Sequence, residues 1–403
     1  MELSCMQRDC EEAAWSKKLH RVLCMQGGDD EQSYAKNSEA PASAVALSMP
    51  LLKEAIESMK LFRGEKSIRI ADLGCATGHN TLSTVQLVVD SLRTRYEEEC
   101  CDHHHNDNNN NNEKEEEEMP EFEAFFSDLP SNDFNSLFRS LPSFYGKKKT
   151  AIFVAGVPGS FYKRLFPRGQ LHLVVSLSAL HWLSEIPESV MDTKSPAWNG
   201  GRACIDGGKK EVVEAYRKQS SQDLNNFLRC RKEEIVEGGM LFILMAGRPE
   251  SQQPENQLGD PNSRAKHPFT NSMDLAWQDL LNEGLIDEET RDTFNIPAYM
   301  RSVEEVREAF EQCGGFQVKK LEFEKIMEHS KEKQVEWVKD PVSYGRAKAN
   351  MVRATLKSMV EAHIGTALAE KFFLRFEKRV SEDVNMIRKT CFYGIVVACA
   401  VRK

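Results

Sequence analysis

The sequence predicts an α/β protein with a doubly wound, mainly parallel sheet, and three observations lead to this prediction. Short apolar runs, typical of strands buried on both faces, recur along the chain. Stretches with helical periodicity separate these runs. The first run leads directly into a glycine turn and a helix. Such an alternation of strands and helices places helices on both faces of a mainly parallel sheet.

The predicted strands are short runs of branched and aromatic residues, at 67–73, 121–126, 151–157, 171–177, 240–246, 316–323 and 391–401. A long polar helix is predicted over residues 209–237, with the pair Gly238 and Gly239 as its C-terminal cap. Residues 247–313 and 328–384 are mostly helical and are expected to add to this core as a lid.

Composition favours a globular cytoplasmic protein over a disordered, membrane-spanning or secreted one. The chain has 403 residues, of which 40% are hydrophobic and 29% charged, so wholesale disorder is excluded. No apolar run approaches the ~20 residues of a membrane span, and we expect no membrane association. The N-terminus lacks a signal-peptide core. The eleven cysteines lack the close spacing of a disulfide framework, so we expect reduced thiols.

One segment accounts for the net charge of −9. Residues 97–118 contain ten acidic residues and one lysine, together with an asparagine run and three adjacent histidines. We interpret this segment as a disordered acidic loop because its like charges repel one another. The histidines could bind metal, but neighbouring ligands on a flexible loop lack a preformed geometry. The rest of the chain is neutral overall, so no nucleic-acid partner is predicted.

The turn after the first strand indicates a ligand site. Asp72 ends the strand, and Gly74 and Gly78 lead into a helix, where open α/β sheets bind their ligands. The dinucleotide fingerprint G-x-G-x-x-G is absent, which argues against an NAD-dependent oxidoreductase. An aspartate beside such a turn suits a cofactor with an ammonium group and no phosphates. The glycines could also serve a structural turn alone.

A second carboxylate, Asp128, closes the next predicted strand. A carboxylate at this place can accept hydrogen bonds from both hydroxyls of a ribose. The alternative is that this segment supplies the N-cap of the helix predicted to begin near Asp133.

Several longer motifs occur in a fixed order: MQGG at 25–28, SYAKNS at 33–38, ADLGCATG at 71–78, SDLPSNDFN at 127–135, GVPGSFYKRLFP at 156–167, LHWLS at 180–184 and DTFNIP at 292–297. With these motifs the chain resembles the SABATH family of plant S-adenosylmethionine-dependent carboxyl methyltransferases over nearly its whole length. Within the family it is most similar to the gibberellin methyltransferases, in the segments MQGGDD at 25–30, RCRKEEIV at 229–236, LGDPN at 258–262, KHPF at 266–269 and QCGGF at 312–316.

The resemblance implies a class I methyltransferase fold, which is Rossmann-like, with an added helical cap. Residues 1–60 would form an N-terminal arm and helix that contribute to the active site. Residues 61–250 and 314–403 would form the core, with the acidic insertion at 96–119 and added helices at 328–384. Residues 251–313 would cap the substrate pocket, and the family resemblance also implies a homodimer.

The resemblance assigns one set of residues to S-adenosylmethionine, whose product is S-adenosylhomocysteine. Within it, Asp128 would bind the ribose hydroxyls, Asn80 and the backbone near Cys75 the amino-acid end, and Phe161 an adenine face. Asp72 would assist at the methionine moiety. The full set comprises Tyr34, Asp72, Cys75, Asn80, Asp128, Leu129, Ser160 and Phe161.

The implied substrate residues are Gln26, His181 and Trp182. Trp182 would pack on a flat or polycyclic acid and His181 would contact its carboxylate, although such a pair could also belong to the core. Many salicylate-type members have lysine in place of Gln26 and glutamine in place of Pro41. Both usual carboxylate-binding residues are therefore altered, which favours a bulkier diterpenoid acid.

A structural Mg²⁺ site is also implied by the resemblance. Its ligands would be Asn199, Asp292, the backbone carbonyl of Phe294 and Asn295. Oxygen ligands of this kind suit magnesium, and the weak charge of the set implies weak binding. An Asx-turn and helix cap would explain the same residues without a metal.

No catalytic acid or base is expected, because a carboxylic acid is already ionised at neutral pH. The expected reaction is direct attack of the substrate carboxylate on the sulfonium methyl group, with His181 and Trp182 positioning the acid. A gibberellin is the first candidate substrate, and indole-3-acetate, jasmonate, salicylate or loganic acid are alternatives. A hormone-binding protein without catalysis is the alternative outside enzymology.

Overall fold

The computed structural model describes residue 19 and residues 21–106, 119–141, 152–249, 254–258, 268–327, 329–388 and 392–403. Within these ranges the strands form a single seven-stranded sheet. The strands are β1 (Ser67–Leu73), β2 (Glu121–Asp128), β3 (Ile152–Pro158), β4 (Leu171–Leu177), β5 (Ile235–Ala246), β6 (Phe316–Met327) and β7 (Phe392–Arg402).

The sheet is mainly parallel, as the sequence predicted. Its strand order is β3-β2-β1-β4-β5-β7-β6, and β1 to β5 all run in the same direction. β7 lies antiparallel between β5 and β6. The middle strand β4 is almost entirely buried, which explains its continuous apolar sequence. The predicted α/β fold is confirmed.

The described residues also form eleven α-helices. They are α1 (Glu39–Ser58), α2 (His79–Asn106), α3 (Phe134–Arg139), α4 (Lys210–Glu234), α5 (Pro268–Asn282), α6 (Glu288–Thr293), α7 (Val303–Cys313), α8 (Lys331–Lys339), α9 (Pro341–Ile364), α10 (Thr366–Glu382) and α11 (Val384–Arg388).

These helices cover both faces of the sheet. Apolar residues of α1 and α2 pack on one face, and those of α4 and α7 pack on the other. A third core lies beside the sheet, where α5, α9 and α10 pack around Trp277. The packing of Val306 and Phe310 with α4 places α7 in a layer of the sheet rather than in the lid predicted over residues 247–313.

The predicted helix cap at Gly238 and Gly239 is wrong. α4 ends at Glu234, and β5 begins at the next residue and contains both glycines. β5 contains an irregularity here, because Ile235 pairs with Leu171 whereas Met240 pairs with Leu173. Gly238 has φ +80°, and a Cβ on Gly239 would lie 2.6 Å from Ile235 Cγ2. The glycines therefore serve a strand bulge, where the backbone needs the same freedom as at a helix end.

The prediction of a disordered loop from residue 97 is wrong for the first part of the acidic segment. α2 continues to Asn106, so the first half of the acidic segment is helical. Residues 107–118 lie outside the described residues. None of the described helices combines the length and hydropathy needed to cross a membrane.

Candidate active site

A deep cavity lies at the carboxyl ends of β1, β2 and β4. It contains about 1140 Å³ of space, a volume that includes the open solvent at its mouth. Its walls come from the first turns after these strands, from the N-terminal arm and from α9. The cavity therefore brings together residues that are far apart in the sequence.

Asp72 lies in the wall of this cavity near the end of β1. Its Oδ2 atom accepts a 2.5 Å hydrogen bond from Thr81 Oγ1 of α2. Its Oδ1 atom is buried and has no hydrogen-bond partner among the described residues. Burial raises the pKa of Asp72 to about 7, and the hydrogen bond from Thr81 opposes this shift. An ammonium group in the cavity would satisfy the free oxygen, so the residue fits the amino-acid end of S-adenosylmethionine.

The turn after β1 depends on Gly74. Its φ is +84°, and a Cβ at this position would lie 2.3 Å from the Cβ of Ala179. Only glycine allows this backbone to approach the residues that follow β4. Ala76 in the same turn has φ +51°, which costs a non-glycine residue energy at a place next to the cavity.

Asp128, the last residue of β2, faces this turn. Its Oδ2 accepts a hydrogen bond from Ala76 N at 2.8 Å, and its Oδ1 accepts one from Leu129 N at 2.7 Å. Burial raises the pKa of Asp128 to about 6, against the effect of the two amides. Each oxygen keeps a second lone pair, so the geometry allows hydrogen bonds from a pair of ribose hydroxyls.

All of the other residues predicted to bind the cofactor also line the cavity: Tyr34, Cys75, Asn80, Leu129, Ser160 and Phe161. Burial and the charge of Asp128 raise the pKa of Tyr34 to about 12, so the phenol stays neutral. Asn80 lies in the first turn of α2, where free backbone amides favour a carboxylate. The structure brings the set together, and the role of each residue stays a prediction.

His181 and Trp182 also line the cavity, just after β4. Their ring centroids are 5.4 Å apart. Burial and the nearby Arg301 guanidinium lower the pKa of His181 to about 4, so its imidazole is neutral at neutral pH. Its Nδ1 atom is buried without a hydrogen-bond partner among the described residues. A neutral imidazole can orient an acid, but it carries no charge that would bind a carboxylate.

Gln26 is not among the residues that line the cavity. Its backbone amide donates to Ala354 O at 2.8 Å, and its carbonyl accepts from Tyr34 N at 2.8 Å. It therefore connects the N-terminal arm to α9, and a direct contact with substrate stays a prediction.

Several cavity residues were not predicted from the sequence: Leu23, Met25, Val45, Tyr162 and Thr355. Leu23 and Met25 closely precede the predicted Gln26, and Tyr162 lies within a quoted motif, so those segments did signal the site. Thr355 had no sequence signal, because it lies in the middle of α9, far along the chain from the motifs. No described residue of 251–313 lines the cavity.

The predicted Mg²⁺ ligands do not fit a metal ion as they stand. Asn295 Oδ1 accepts a hydrogen bond from Asn199 Nδ2 at 2.8 Å. Asp292 Oδ1 accepts from Gly201 N at 2.8 Å and lies 2.6 Å from Arg291 Nη2. Asn199 Oδ1 is buried without a partner among the described residues, but magnesium needs near-octahedral oxygen ligands. Within the described ranges there is also no metal-binding cluster of three His, Cys, Asp or Glu side chains.

Comparison with known proteins identifies the family. The family model described as SAM dependent carboxyl methyltransferase matches residues 20–403. Gibberellic acid methyltransferase 2 of Arabidopsis thaliana is 54% identical, with 95% of each chain covered. Gibberellic acid methyltransferase 1 of the same plant is 52% identical over 96% of this chain and 99% of its own.

More distant relatives also match this chain over nearly their whole length. Indole-3-acetate O-methyltransferase 1 of Arabidopsis thaliana is 37% identical over 96% of this chain and 97% of its own. A solved structure, loganic acid methyltransferase with SAH, superimposes with a TM-score of 0.77 at 30% identity and covers 94% of this chain and 98% of its own. The chain therefore belongs to the family of S-adenosylmethionine-dependent carboxyl methyltransferases.

Proposed function

We propose that the protein transfers a methyl group from S-adenosylmethionine to the carboxylate of a gibberellin. The observation that carries this proposal is the composition of the cavity, which combines two carboxylates with apolar and aromatic side chains. Asp72 and Asp128 line it together with Trp182 and apolar residues of the N-terminal arm. The two gibberellic acid methyltransferases that resemble the chain at more than half of their positions support the choice of acid.

The residues act by positioning in this mechanism. Bound S-adenosylmethionine supplies the methyl group. A carboxylate oxygen of the acid forms the new bond to that methyl carbon, and the electron pair of the broken carbon–sulfur bond stays on sulfur. The acid is already ionised, so no side chain needs to remove a proton. Alignment of the two reactants then accounts for most of the rate enhancement, for which roughly 7–11 kcal/mol is available.

The low pKa of His181 supports a mechanism without a general base. A histidine with a pKa of about 4 is already neutral at pH 7, but it would be a weak base because its protonated form is disfavoured. Its imidazole can instead orient the acid, while Trp182 packs on the acid's ring system. A neutral His181 adds no charge beside the acid, so the acid's carboxylate can pair with the sulfonium, an attraction that exclusion of water would strengthen.

The altered positions in the N-terminal arm favour a large acid over salicylate. Pro41, which lines the cavity, offers no side-chain hydrogen bond to a carboxylate. Gln26 lies outside the cavity wall. A large polycyclic acid can compensate through its apolar surface, at about 25 cal/mol per Å² removed from water. A small acid such as salicylate has less surface to bury.

The same proposal includes a cytoplasmic location and a homodimer. The described cysteines Cys24, Cys75, Cys230, Cys313 and Cys399 form no disulfide, which supports a reducing compartment. The homodimer rests on the family resemblance, and light scattering on the purified protein tests it.

A methyl-transfer panel tests the proposed substrate. The purified chain is incubated with S-adenosylmethionine labelled in the methyl group and with gibberellins of differing hydroxylation, indole-3-acetate, jasmonate, salicylate or loganic acid. We expect the highest kcat/KM with a gibberellin and a labelled methyl ester as product. A higher value with another acid would refute the gibberellin assignment. Binding of an acid without any ester formation would support a hormone-binding protein instead.

A further inference from the structure

Two loops contribute residues to the wall of the cavity, and we name them the cofactor loop (residues 159–166) and the acceptor loop (residues 180–184). The cofactor loop carries Ser160 and Phe161, which are predicted to bind the cofactor, and the acceptor loop carries His181 and Trp182, which are predicted to bind the acid. With these roles, the placement of one loop relative to the other would affect the distance between methyl donor and acid.

The cofactor loop is held on α4 by a buried ion pair. Arg231 and Glu234 lie 2.7 Å apart, and both side chains are fully buried. Arg231 Nη1 donates to Phe161 O at 2.9 Å, and Glu234 Oε1 accepts from Leu165 N at 2.6 Å. The pair therefore satisfies backbone groups at both ends of the loop, which a buried ion pair needs to offset its desolvation.

The acceptor loop is held on the same helix. Asp223 of α4 accepts hydrogen bonds from Ser184 N at 2.8 Å and from Ser184 Oγ at 2.6 Å. The buried Arg301 guanidinium donates to Leu180 O and, at 2.9 Å, to Ser220 O of α4. Both loops are thus anchored on α4, and one side chain also connects them to each other.

Tyr162 makes that connection directly. It belongs to the cofactor loop, and its hydroxyl donates to Trp182 O of the acceptor loop at 2.5 Å. Leu180 O of the same loop lies 3.4 Å from the hydroxyl. The ring of Tyr162 lies 4.7 Å from that of Phe161, the residue predicted to contact adenine. The side chain therefore links a cofactor contact to the backbone of a substrate contact.

We propose that the Tyr162 hydroxyl is a positioning group that fixes the separation of methyl donor and acid acceptor. The inference rests on the proposed function of the two loops as the two halves of the site. Without the hydroxyl, the Trp182 carbonyl loses its donor and the acceptor loop can move relative to the cofactor loop. Small misplacements of reacting atoms have large effects, about 10²-fold for 1 Å.

A positioning role has a kinetic signature that a structural role lacks. Each half of the site keeps its own anchors on α4, so each ligand should still bind to a Tyr162→Phe variant. The loss should appear in kcat, because only the transition state needs the correct separation. A general loss of packing would instead weaken binding and lower Tm without a selective effect on kcat.

The chain offers a matched control in Tyr216. This tyrosine of α4 is also fully buried, and its hydroxyl has no hydrogen-bond partner among the described residues. Tyr216→Phe therefore removes the same atom from a similar environment without cutting a link between loops. Its effect measures the cost of the deletion itself.

The experiment compares both variants with the wild type in the full chain, using the acid that the wild type methylates fastest. For Tyr162→Phe we expect kcat to fall about tenfold, as one hydrogen bond allows. KM for both substrates and Kd for S-adenosylhomocysteine by calorimetry should stay within about twofold. Tyr216→Phe should keep the wild-type kcat.

Three results would overturn the proposal. The first is a kcat of Tyr162→Phe equal to that of the wild type. The second is a loss of activity that weaker cofactor binding explains by itself. The third is a Tm of the variant below the assay temperature, which would show that the hydroxyl is needed only for stability. The proposed substrate is tested separately. If the panel selects indole-3-acetate, the gibberellin assignment fails while the kcat ratio of the variants, measured on that acid, still decides the role of Tyr162.

Discussion

The Asp72 carboxylate is half satisfied: one oxygen accepts a hydrogen bond from Thr81 Oγ1, and the other is buried at the cavity wall without a partner among the described residues. Such an arrangement is costly in the free protein, because an ionised carboxylate loses its water there. The same arrangement favours binding of a cation. Asp72 is therefore expected to trade stability of the free protein for affinity toward the ammonium group of the cofactor.

This trade gives a pH-dependent prediction for Asp72→Asn. The folded-state pKa of about 7 lies above the unfolded value of about 4, so the folded state holds the extra proton between these values. Stability therefore falls as pH rises through that window. Asp72→Asn removes this loss, and we expect a higher Tm than the wild type at pH 8 and a smaller difference at pH 5. Thermal melts at both values check this.

The same variant should bind S-adenosylhomocysteine at least tenfold more weakly at pH 8, because a hydrogen bond to a charged group is worth about 1.5–3 kcal/mol. Calorimetry measures the loss, and the exposed Asp192→Asn serves as control. A lower Tm at pH 8 together with unchanged binding would show that Asp72 is a structural residue only.

Gly74→Ala should damage both stability and activity, whereas Gly64→Ala should not affect activity. Both glycines have positive φ, but a Cβ on Gly64 meets nothing within 4 Å and a Cβ on Gly74 meets Ala179. The strain common to both costs about 1–2 kcal/mol, and the clash adds about 1–3 kcal/mol. Urea unfolding should show a larger loss of unfolding free energy for Gly74→Ala than for Gly64→Ala. In the activity assay, kcat/KM of Gly74→Ala should be at least tenfold below that of the wild type. Equal effects of the two substitutions would contradict the close approach.

Thr355→Phe should test whether α9 borders the acid or the cofactor. Thr355 lines the cavity from α9, next to Ala354, whose carbonyl accepts from the backbone amide of Gln26 in the predicted substrate set, and the larger ring would fill space there. We expect the KM for the acid to rise at least tenfold. Even one extra methylene in a pocket of this kind changes the binding free energy by roughly 1–3 kcal/mol, and a phenyl ring is larger. Kd for S-adenosylhomocysteine should stay within about twofold. Thr366→Phe, at an exposed position of α10, is the control. A selective loss of cofactor binding would show that α9 borders the cofactor instead.

Removal of divalent metals should leave the enzyme unaffected. Arg291 already lies against the Asp292 carboxylate, and Asn199 donates to Asn295, so the predicted magnesium ligands are engaged with one another. After dialysis against EDTA, we expect the initial rate and Tm to match those of the untreated protein. A loss that added Mg²⁺ restores would show that these side chains rearrange around an ion.

The sequence predicted the parts of the site that are encoded locally. The turn from Asp72 to Asn80 follows directly from a strand, a glycine pair and a helix, so its place at the sheet edge could be derived. The motifs quoted for the family resemblance contain every residue predicted to bind the cofactor except Asn80, which follows the motif at 71–78, and the whole set lines one cavity. Local pattern placed Asp72 and Asp128 at the sheet edge because parallel strands end at the same edge, whereas the other residues depended on the resemblance.

Features that depend on distant contacts could not be predicted. Periodicity shows which side of α9 is buried, but it does not show that Thr355 faces a cavity rather than the core. A pair of glycines is compatible with a helix cap and with a strand bulge. At Gly238 and Gly239 the pairing of β5 with β4 decides between the two. The hydrogen bond between Asn199 and Asn295 joins residues 96 positions apart and has no local signal.

The central claim is that the cavity aligns an ionised acid with the methyl donor and needs no acid–base residue. A crystal structure of the complex with S-adenosylhomocysteine and the best acid of the panel tests it most directly. The account predicts the acid between the two loops, packed on Trp182, with one carboxylate oxygen on the line that extends from the cofactor sulfur. An acid carboxylate directed away from that sulfur, or an aspartate or glutamate hydrogen-bonded to it as a base, would contradict the account.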